Sequence, residues 1–284
     1  MNENQQVRDT VSKFYAKAVN APGGGGSCCA PADKQTVIKL AGYGREELDE
    51  LPPEAVANSF GCGNPFAFMD LDVGQTVLDL GSGAGIDVLL AAKKVGPTGH
   101  AIGVDMTDEM IAKAKENIAT SGLENVEVRK GTIEELPVES SSVDWVISNC
   151  VINLSPEKPR VFAEIVRVLK PGGQLLVSDV VVEDLPAWVK QDEGLYSTCI
   201  AGAISEREYV GGLRAAGLED VEIRDRVIYD ASQLEAFVHS DQAVEAAAKS
   251  LCCGGARAGT TIKDVAQALA GKVASIRVYA RKPA

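Results

Sequence analysis

The chain has 284 residues, 45% of them hydrophobic and 24% charged, enough apolar material to bury a sizeable core in one large domain or one domain with an appendage. With 40 acidic against 28 basic residues the net charge is −12, the opposite of the basic footprint that phosphate neutralisation requires, so nucleic acid is excluded as a partner class. No apolar run reaches the length of a membrane span and the polar start, MNENQQVRDTVSKFYAKAV, has no apolar signal core, so we expect a cytoplasmic monomer with no membrane partner.

Helical character runs from Val7 to Val19 and breaks at NAPGGGGSCCAP. Four consecutive glycines carry a high ordering cost, which predicts a mobile tether for Cys28 and Cys29. Cys62 follows in SFGCGNPFAF, a loop leading to the first strand, with glycine on both sides of the sulfur. From Gly74 the pattern becomes a strand and helix alternation: strand TVLDL, turn GSGAG, a helix from Ile86 to Lys94, strand HAIGVD, and a helix from about Thr107 to Thr120 with Thr107 as its cap. VEVRKG, VDWVISN and GGQLLVSDVVV supply three more strands, the last two separated by a helix from Glu157 to Leu169 that stops at KPGG. After Pro186 the regularity loosens into a helix in EREYVGGLRAAGL, a strand in VEIRDRVIYD, helices in ASQLEAFV and QAVEAAAKSLCC, and a final strand in ASIRVYARK. Strands alternating with helices at this spacing call for a parallel sheet covered on both faces.

The seven cysteines are an odd number with no C-x-x-C spacing, and His100 and His239 are the two histidines. A disulfide framework or a zinc ribbon is therefore not supported, and both histidines read as structural. Cys150 comes directly after Asn149 at the end of the fourth strand, whereas a packing cysteine more naturally sits within a strand. In open parallel sheets that strand end is where ligands bind.

VLDLGSGAGIDVLLAA is a strand, a glycine-rich turn and a helix in immediate succession. Asp79 just before the turn would repel a pyrophosphate and suits a cationic ligand, and with the G-x-G-x-G spacing it disfavours an NAD-binding dehydrogenase. Asp105 ends the next strand, where a carboxylate can take both hydroxyls of a ribose. The ordered segments DLGSGAG, GVDMT, GTIEELP and RVLKPGGQLLVSD resemble the class I methyltransferases that bind S-adenosylmethionine, over roughly residues 70 to 182. The resemblance implies an α/β, Rossmann-like fold: a mostly parallel seven-stranded sheet with helices on both faces, plus a smaller C-terminal α+β region. It also implies that Gly81, Ser82, Gly83 and Asp79 line the methionine and ribose portion together with Asn149. Asp105 would hold the ribose, and Met106, Thr132 and Ile133 would flank the adenine.

The segments FGCGNP, SNCVINL and CIAGA, around Cys62, Cys150 and Cys199, further resemble the arsenite S-adenosylmethionine methyltransferases over nearly the whole chain. Three domains are expected: a helical segment with a glycine-rich cysteine loop (1–69), the cofactor-binding core (70–182), and an arsenic-site insert with the late strands and C-terminal α+β region (183–284). The resemblance implies that Cys62, Cys150 and Cys199 bind trivalent arsenic, a soft and thiophilic centre. The substrates would be arsenite and methylated trivalent arsenicals. Cys28 or Cys29 would pair with Cys62 when arsenic is reduced, and a thiol reductant, thioredoxin or glutathione, would reset the enzyme. For Cys252 and Cys253 in SLCCGG a product contact competes with a helix end capped by Gly254. Two other functions remain: a carbon or oxygen methyltransferase of the quinone-biosynthesis type, which needs no cysteine triad, and a sequestration protein that binds arsenic and turns nothing over.

Overall fold

A helix α1 (Glu3–Val19) and a short helix α2 (Pro53–Ala57) precede the first strand, β1 (Thr76–Leu80). Then follow α3 (Ile86–Val95), β2 (His100–Asp105), α4 (Asp108–Ser121), β3 (Val126–Lys130) and β4 (Val143–Asn149). The chain continues through α5 (Lys158–Val168), β5 (Leu169–Val182), α6 (Glu206–Ala215), β6 (Glu219–Ile228), α7 (Ile262–Leu269) and β7 (Val273–Arg281). This computed structural model describes residues 3–20, 43–44, 48, 51–57, 63–184, 199–200, 202–234 and 262–284. Cys28, Cys29, Cys62, Cys252 and Cys253 lie outside the described residues, as does the helix expected in QAVEAAAKSLCC.

All seven strands form one sheet in the order β3-β2-β1-β4-β5-β7-β6. The first five are parallel to their neighbours, whereas β7 runs antiparallel between β5 and β6. The strand order therefore reverses between β1 and β4, which opens a crevice at their carboxyl ends.

Consecutive residues of the central strands face opposite cores, as the two-residue strand period requires. Leu78, Val146, Leu175 and Val177 pack on one face with Ile165 of α5 and Leu213 of α6. Val77, Trp145, Ile147 and Leu176 pack on the other with Val88 and Leu89 of α3. Helix α5 presents Val161, Phe162, Ile165 and Val168 to the sheet, a spacing that lays one apolar stripe along its length. Helix α6 starts with a capping box in which Ser205 and Glu208 satisfy each other's backbone N–H groups.

Two local expectations shift. Helix α1 begins at Glu3, upstream of its apolar periodicity, with the Gln5 amide donating to Asp9 one turn on. Strand β5 begins at Leu169 and absorbs KPGG as an irregularity: Leu169 pairs with Val143, and the register shifts before Trp145 pairs with Gln174. A bulge accommodates there the proline that cannot donate to a ladder. Helix α7 carries no prior expectation. Among the described residues no helix is long and apolar enough to cross a membrane.

Candidate active site

The turn after β1 hooks onto β2: the Gly81 and Ser82 N–H groups both donate to the Val104 carbonyl, at 2.7 and 3.1 Å. Gly81 has φ +66, and a Cβ there would lie 2.5 Å from Val151, so conformation and contact both demand glycine. Gly83, at φ +52, would present a Cβ to open space, because its face looks into the crevice. The crevice is a cavity at the carboxyl ends of β1, β2 and β4.

Acid groups dominate its floor. The Asp105 carboxylate accepts from the Gly83 N–H at 3.0 Å and the Thr107 N–H at 2.8 Å. An ionised carboxylate has about four acceptor positions, which leaves room for ligand hydroxyls. Burial pushes the Asp105 carboxyl up, and the Thr107 and Gly83 N–H groups oppose that rise. Thr107 itself makes no side-chain cap on α4; its hydroxyl instead reaches Ser12 of α1 at 3.3 Å. Asp79 and Asp87 are both buried. Burial, then the charges of Asp87 and Asp105, hold the Asp79 carboxyl well above its usual range. The Tyr43 hydroxyl donates to Asp87 at 2.7 Å.

A cation seated here would relieve those carboxylates. Among the described residues Arg8 is the one cation that lines the cavity, and its guanidinium is committed to Glu157 at 2.9 Å and Glu134 at 3.4 Å. The site therefore fits S-adenosylmethionine, which brings a sulfonium, an ammonium, a ribose diol and a base. All nine residues expected to bind it, Asp79 to Asn149 in the sequence, line this single cavity. Met106, Thr132 and Ile133 stand at the β2 and β3 side, and Asn149 at the β4 end.

Cys150 lines the same cavity. Its backbone is left-handed, φ +60, as is that of Cys199, also φ +60. A side chain in that region costs about 1–2 kcal/mol, so each position is held there by its surroundings. The Cys150 N–H donates to the Ser178 carbonyl at 2.8 Å, and the Cys199 thiol donates to the Cys150 carbonyl at 2.8 Å. Two of the three expected ligand cysteines are thus brought together from segments far apart in the chain. The sulfur of Cys150 is in a disulfide, its other half outside the described residues. A disulfide sulfur is no thiolate, so the ligand role read for Cys150 belongs to the reduced protein.

A family model described as a methyltransferase domain matches residues 71–226. The chain is 49% identical over 201 residues to the arsenite methyltransferase of Halobacterium salinarum, covering 70% of this chain and 51% of that protein. It is 37% identical over 224 residues to the arsenite methyltransferase of Aquipseudomonas alcaligenes, covering 75% of this chain and 62% of that protein. The crystal structure of an arsenic(III) S-adenosylmethionine methyltransferase from Chlamydomonas reinhardtii is similar at a TM-score of 0.60 and 31% identity, covering 90% of this chain and 75% of that one. The chain belongs to the arsenite methyltransferase family.

It spans about half the length of the curated relatives it matches. Several residues of this family member's site escaped the sequence reading. Arg8, Val11 and Tyr15 of α1 line the cavity, and their i, i+3, i+7 spacing was the signal that one face of this helix covers something. Asp87 is an acid in the otherwise apolar start of α3, IDVLLAA. Outside the cavity lining, Asp179 of β5 is a further buried acid, which accepts from the Asn153 amide at 2.7 Å and the Tyr209 hydroxyl at 3.2 Å. Burial raises its carboxyl to about 7.

Proposed function

We propose that the chain methylates trivalent arsenic, with S-adenosylmethionine as methyl donor and cysteine thiolates as the arsenic ligands. The observation that carries this reading is the position of Cys150 on the wall of the cavity lined by Gly81, Asp79 and Asp105, with Cys199 bonded to its carbonyl. When bound, the cofactor supplies an electrophilic methyl carbon on a cationic sulfonium. Asp79 and Asp87 favour that positive charge, Asp105 orients the ribose, and α1 keeps water out through Val11 and Tyr15. Arsenic held by thiolates keeps a lone pair and has no proton to lose, so no general base is needed. Methylation raises arsenic formally to the pentavalent state. Two thiolates closing a disulfide return the two electrons, and a dithiol such as thioredoxin, or two glutathione molecules, reopens it. The disulfide at Cys150 is a bond other than the Cys62 pairing expected for that step, and it too must be reduced before Cys150 can bind arsenic. A quinone-type methyltransferase has no use for a cysteine on the cavity wall with a second cysteine bonded to its carbonyl.

The test is incubation of the reduced protein with arsenite, labelled S-adenosylmethionine and excess thiol reductant, followed by arsenic speciation. Cys150→Ser and Cys199→Ser should each abolish methylation of arsenite and of a monomethylated trivalent arsenical. Cys62→Ser, or Ser at both Cys28 and Cys29, should disable arsenite alone, because monomethylated arsenic needs only two thiolates. A Cys150→Ser protein that methylates arsenite at the wild-type rate would make that residue a packing cysteine and overturn the site.

A further inference from the structure

The cavity wall that carries Cys150 is a turn tied down from behind. Cys150, Val151, Leu154 and Ser155 line the cavity, whereas Ile152 and Asn153 between them stand outside its lining and are fully buried. The Cys150 N–H donates to the Ser178 carbonyl at 2.8 Å, which is the last backbone bond of β4 to β5. The next carbonyl on that edge of β5 belongs to Val180. In a parallel ladder that ran on, the N–H of Ile152 would meet it. Instead the side-chain amide of Asn153 does: its Nδ2 donates to the Val180 carbonyl at 2.5 Å and to Asp179 Oδ1 at 2.7 Å.

Two ties three residues apart in the turn are thus fixed to carbonyls two residues apart on β5. Three residues of extended chain reach about 10 Å, and two residues of strand rise about 7 Å, so the segment between the ties must coil. It does so through the left-handed backbone of Cys150 and the 3-10 turn Ile152–Leu154. The coil lays Val151 against the cofactor turn, where a Cβ on Gly81 would lie 2.5 Å from it.

The amide is itself held. Asp179, which accepts one of its hydrogens, also accepts from the Val180 N–H at 2.9 Å and from the Tyr209 hydroxyl of α6 at 3.2 Å. Lys158 of α5 donates to the Asn153 and Ser155 carbonyls at 3.2 and 2.9 Å. The amide oxygen of Asn153 is buried and bonds nothing among the described residues. An unsatisfied buried acceptor costs stability, which an apolar side chain of the same size would avoid. Asn153 therefore serves as a donor, at a cost that packing alone does not explain.

We propose that Asn153 is a positioning residue for the methyl acceptor: its amide replaces the backbone N–H that β4 no longer supplies, and so fixes the turn that puts Cys150 on the cavity wall, with Asp179 and Tyr209 orienting that amide from behind. The inference deepens the function proposed above and rests on it.

The test compares the reduced wild-type protein with Asn153→Leu and Tyr209→Phe, at a temperature where circular dichroism shows the proteins folded. Asn153→Leu should lower kcat for methylation of arsenite about a hundredfold, the effect of misplacing a reacting group by about 1 Å. Its affinity for S-adenosylmethionine, read by calorimetry, should change little, because Asp79, Asp105 and the glycine turn are held by β1 and β2. Tyr209→Phe keeps the ring against Phe162 and loses one bond to Asp179, so kcat should fall about fivefold, the worth of one hydrogen bond. A second readout needs no arsenic: bound S-adenosylhomocysteine should protect Cys150 of the wild type from iodoacetamide, followed by mass spectrometry, and that protection should be lost in Asn153→Leu. A folded Asn153→Leu protein with wild-type kcat and wild-type protection would overturn the proposal. If Asn153→Leu does not fold, Tyr209→Phe decides, and a wild-type kcat there overturns it equally. A wild type that shows the protection but methylates no arsenite sinks the functional reading instead, and the alkylation of Cys150 in the variants then settles the role of Asn153 by itself.

Discussion

The two ends of the cavity are built in opposite ways. The cofactor end comes from consecutive strand and loop units: Asp79 and Gly81 to Gly83 at the end of β1, Asp105 and Met106 at the end of β2, and Gly131 to Glu134 after β3. Each group follows its own strand by a few residues, so local sequence dictates where it lies. On the acceptor side Cys150 lines the cavity, while Gly63, Asp179, Cys199 and Tyr209, from four other segments, stand outside its lining, and each is held by a hydrogen bond or close contact to a distant partner. A binding surface made of local turns tolerates errors elsewhere in the fold, whereas one assembled from distant segments depends on the whole sheet being in register.

The largest expected effect is a pH response at Asp179. Burial, offset by the Val180 N–H, the Lys158 charge and the Tyr209 hydroxyl, holds the Asp179 carboxyl up at about 7. The folded protein therefore keeps a proton that the unfolded chain releases above about pH 4. That contribution to stability is fully present below the unfolded value and is lost as pH rises through 7. Asn at position 179 has no such proton to lose. Asp179→Asn should therefore lose less stability than the wild type between pH 4 and 8, by on the order of 4 kcal/mol, read from urea unfolding at each pH. Parallel curves for the two proteins would show that this carboxyl holds no extra proton in the folded state.

The next largest effect belongs to the cofactor turn. Gly81→Ala forces a side chain into φ +66 and against Val151, at a cost of about 3 kcal/mol in stability together with loss of cofactor binding. Thermal unfolding and calorimetry would read both, and the arsenic affinity of the surviving folded protein should change little. Smallest is Asp105→Ala. It removes a charge-assisted contact to ribose and should weaken S-adenosylmethionine binding by about 2 kcal/mol while sparing arsenic. Unchanged cofactor affinity in the folded variant would remove Asp105 from the site. If either substitution at the cofactor end weakened arsenic binding as much as cofactor binding, the contrast between the two ends would fail.

Legibility in the sequence divides along the same line. Gly81, Gly83 and Asp105 could be read because the turn chemistry and the strand that positions them are adjacent in the chain. The four helices α3 to α6 and the strands from β1 to β7 were legible from apolar periodicity for the same reason. The pairing of Cys150 with Cys199 was reached only through a resemblance, since spacing carries no trace of the thiol bond to the Cys150 carbonyl. Asp179 stayed invisible: in the run LLVSDVVV it looks like any polar residue near a strand end, and its partners Asn153 and Tyr209 lie on other elements. Thr107 takes the N-cap position of α4 as read, but its side chain makes no cap hydrogen bond and its hydroxyl donates to Ser12 of α1, a contact that propensity rules do not anticipate.

Strand β7 lies between β5 and β6 although it is the last of the seven to be synthesised. On a growing chain β5 and β6 therefore emerge first, and neither can complete its ladder until residues 273–281 arrive to separate them. Until then β5, whose inner residues from Leu175 to Val182 are nearly all apolar, carries an open edge of the kind that pairs with foreign strands. Slow codons between β6 and β7 would therefore lengthen the time during which nascent chains can stick to one another, and lower the yield of soluble protein.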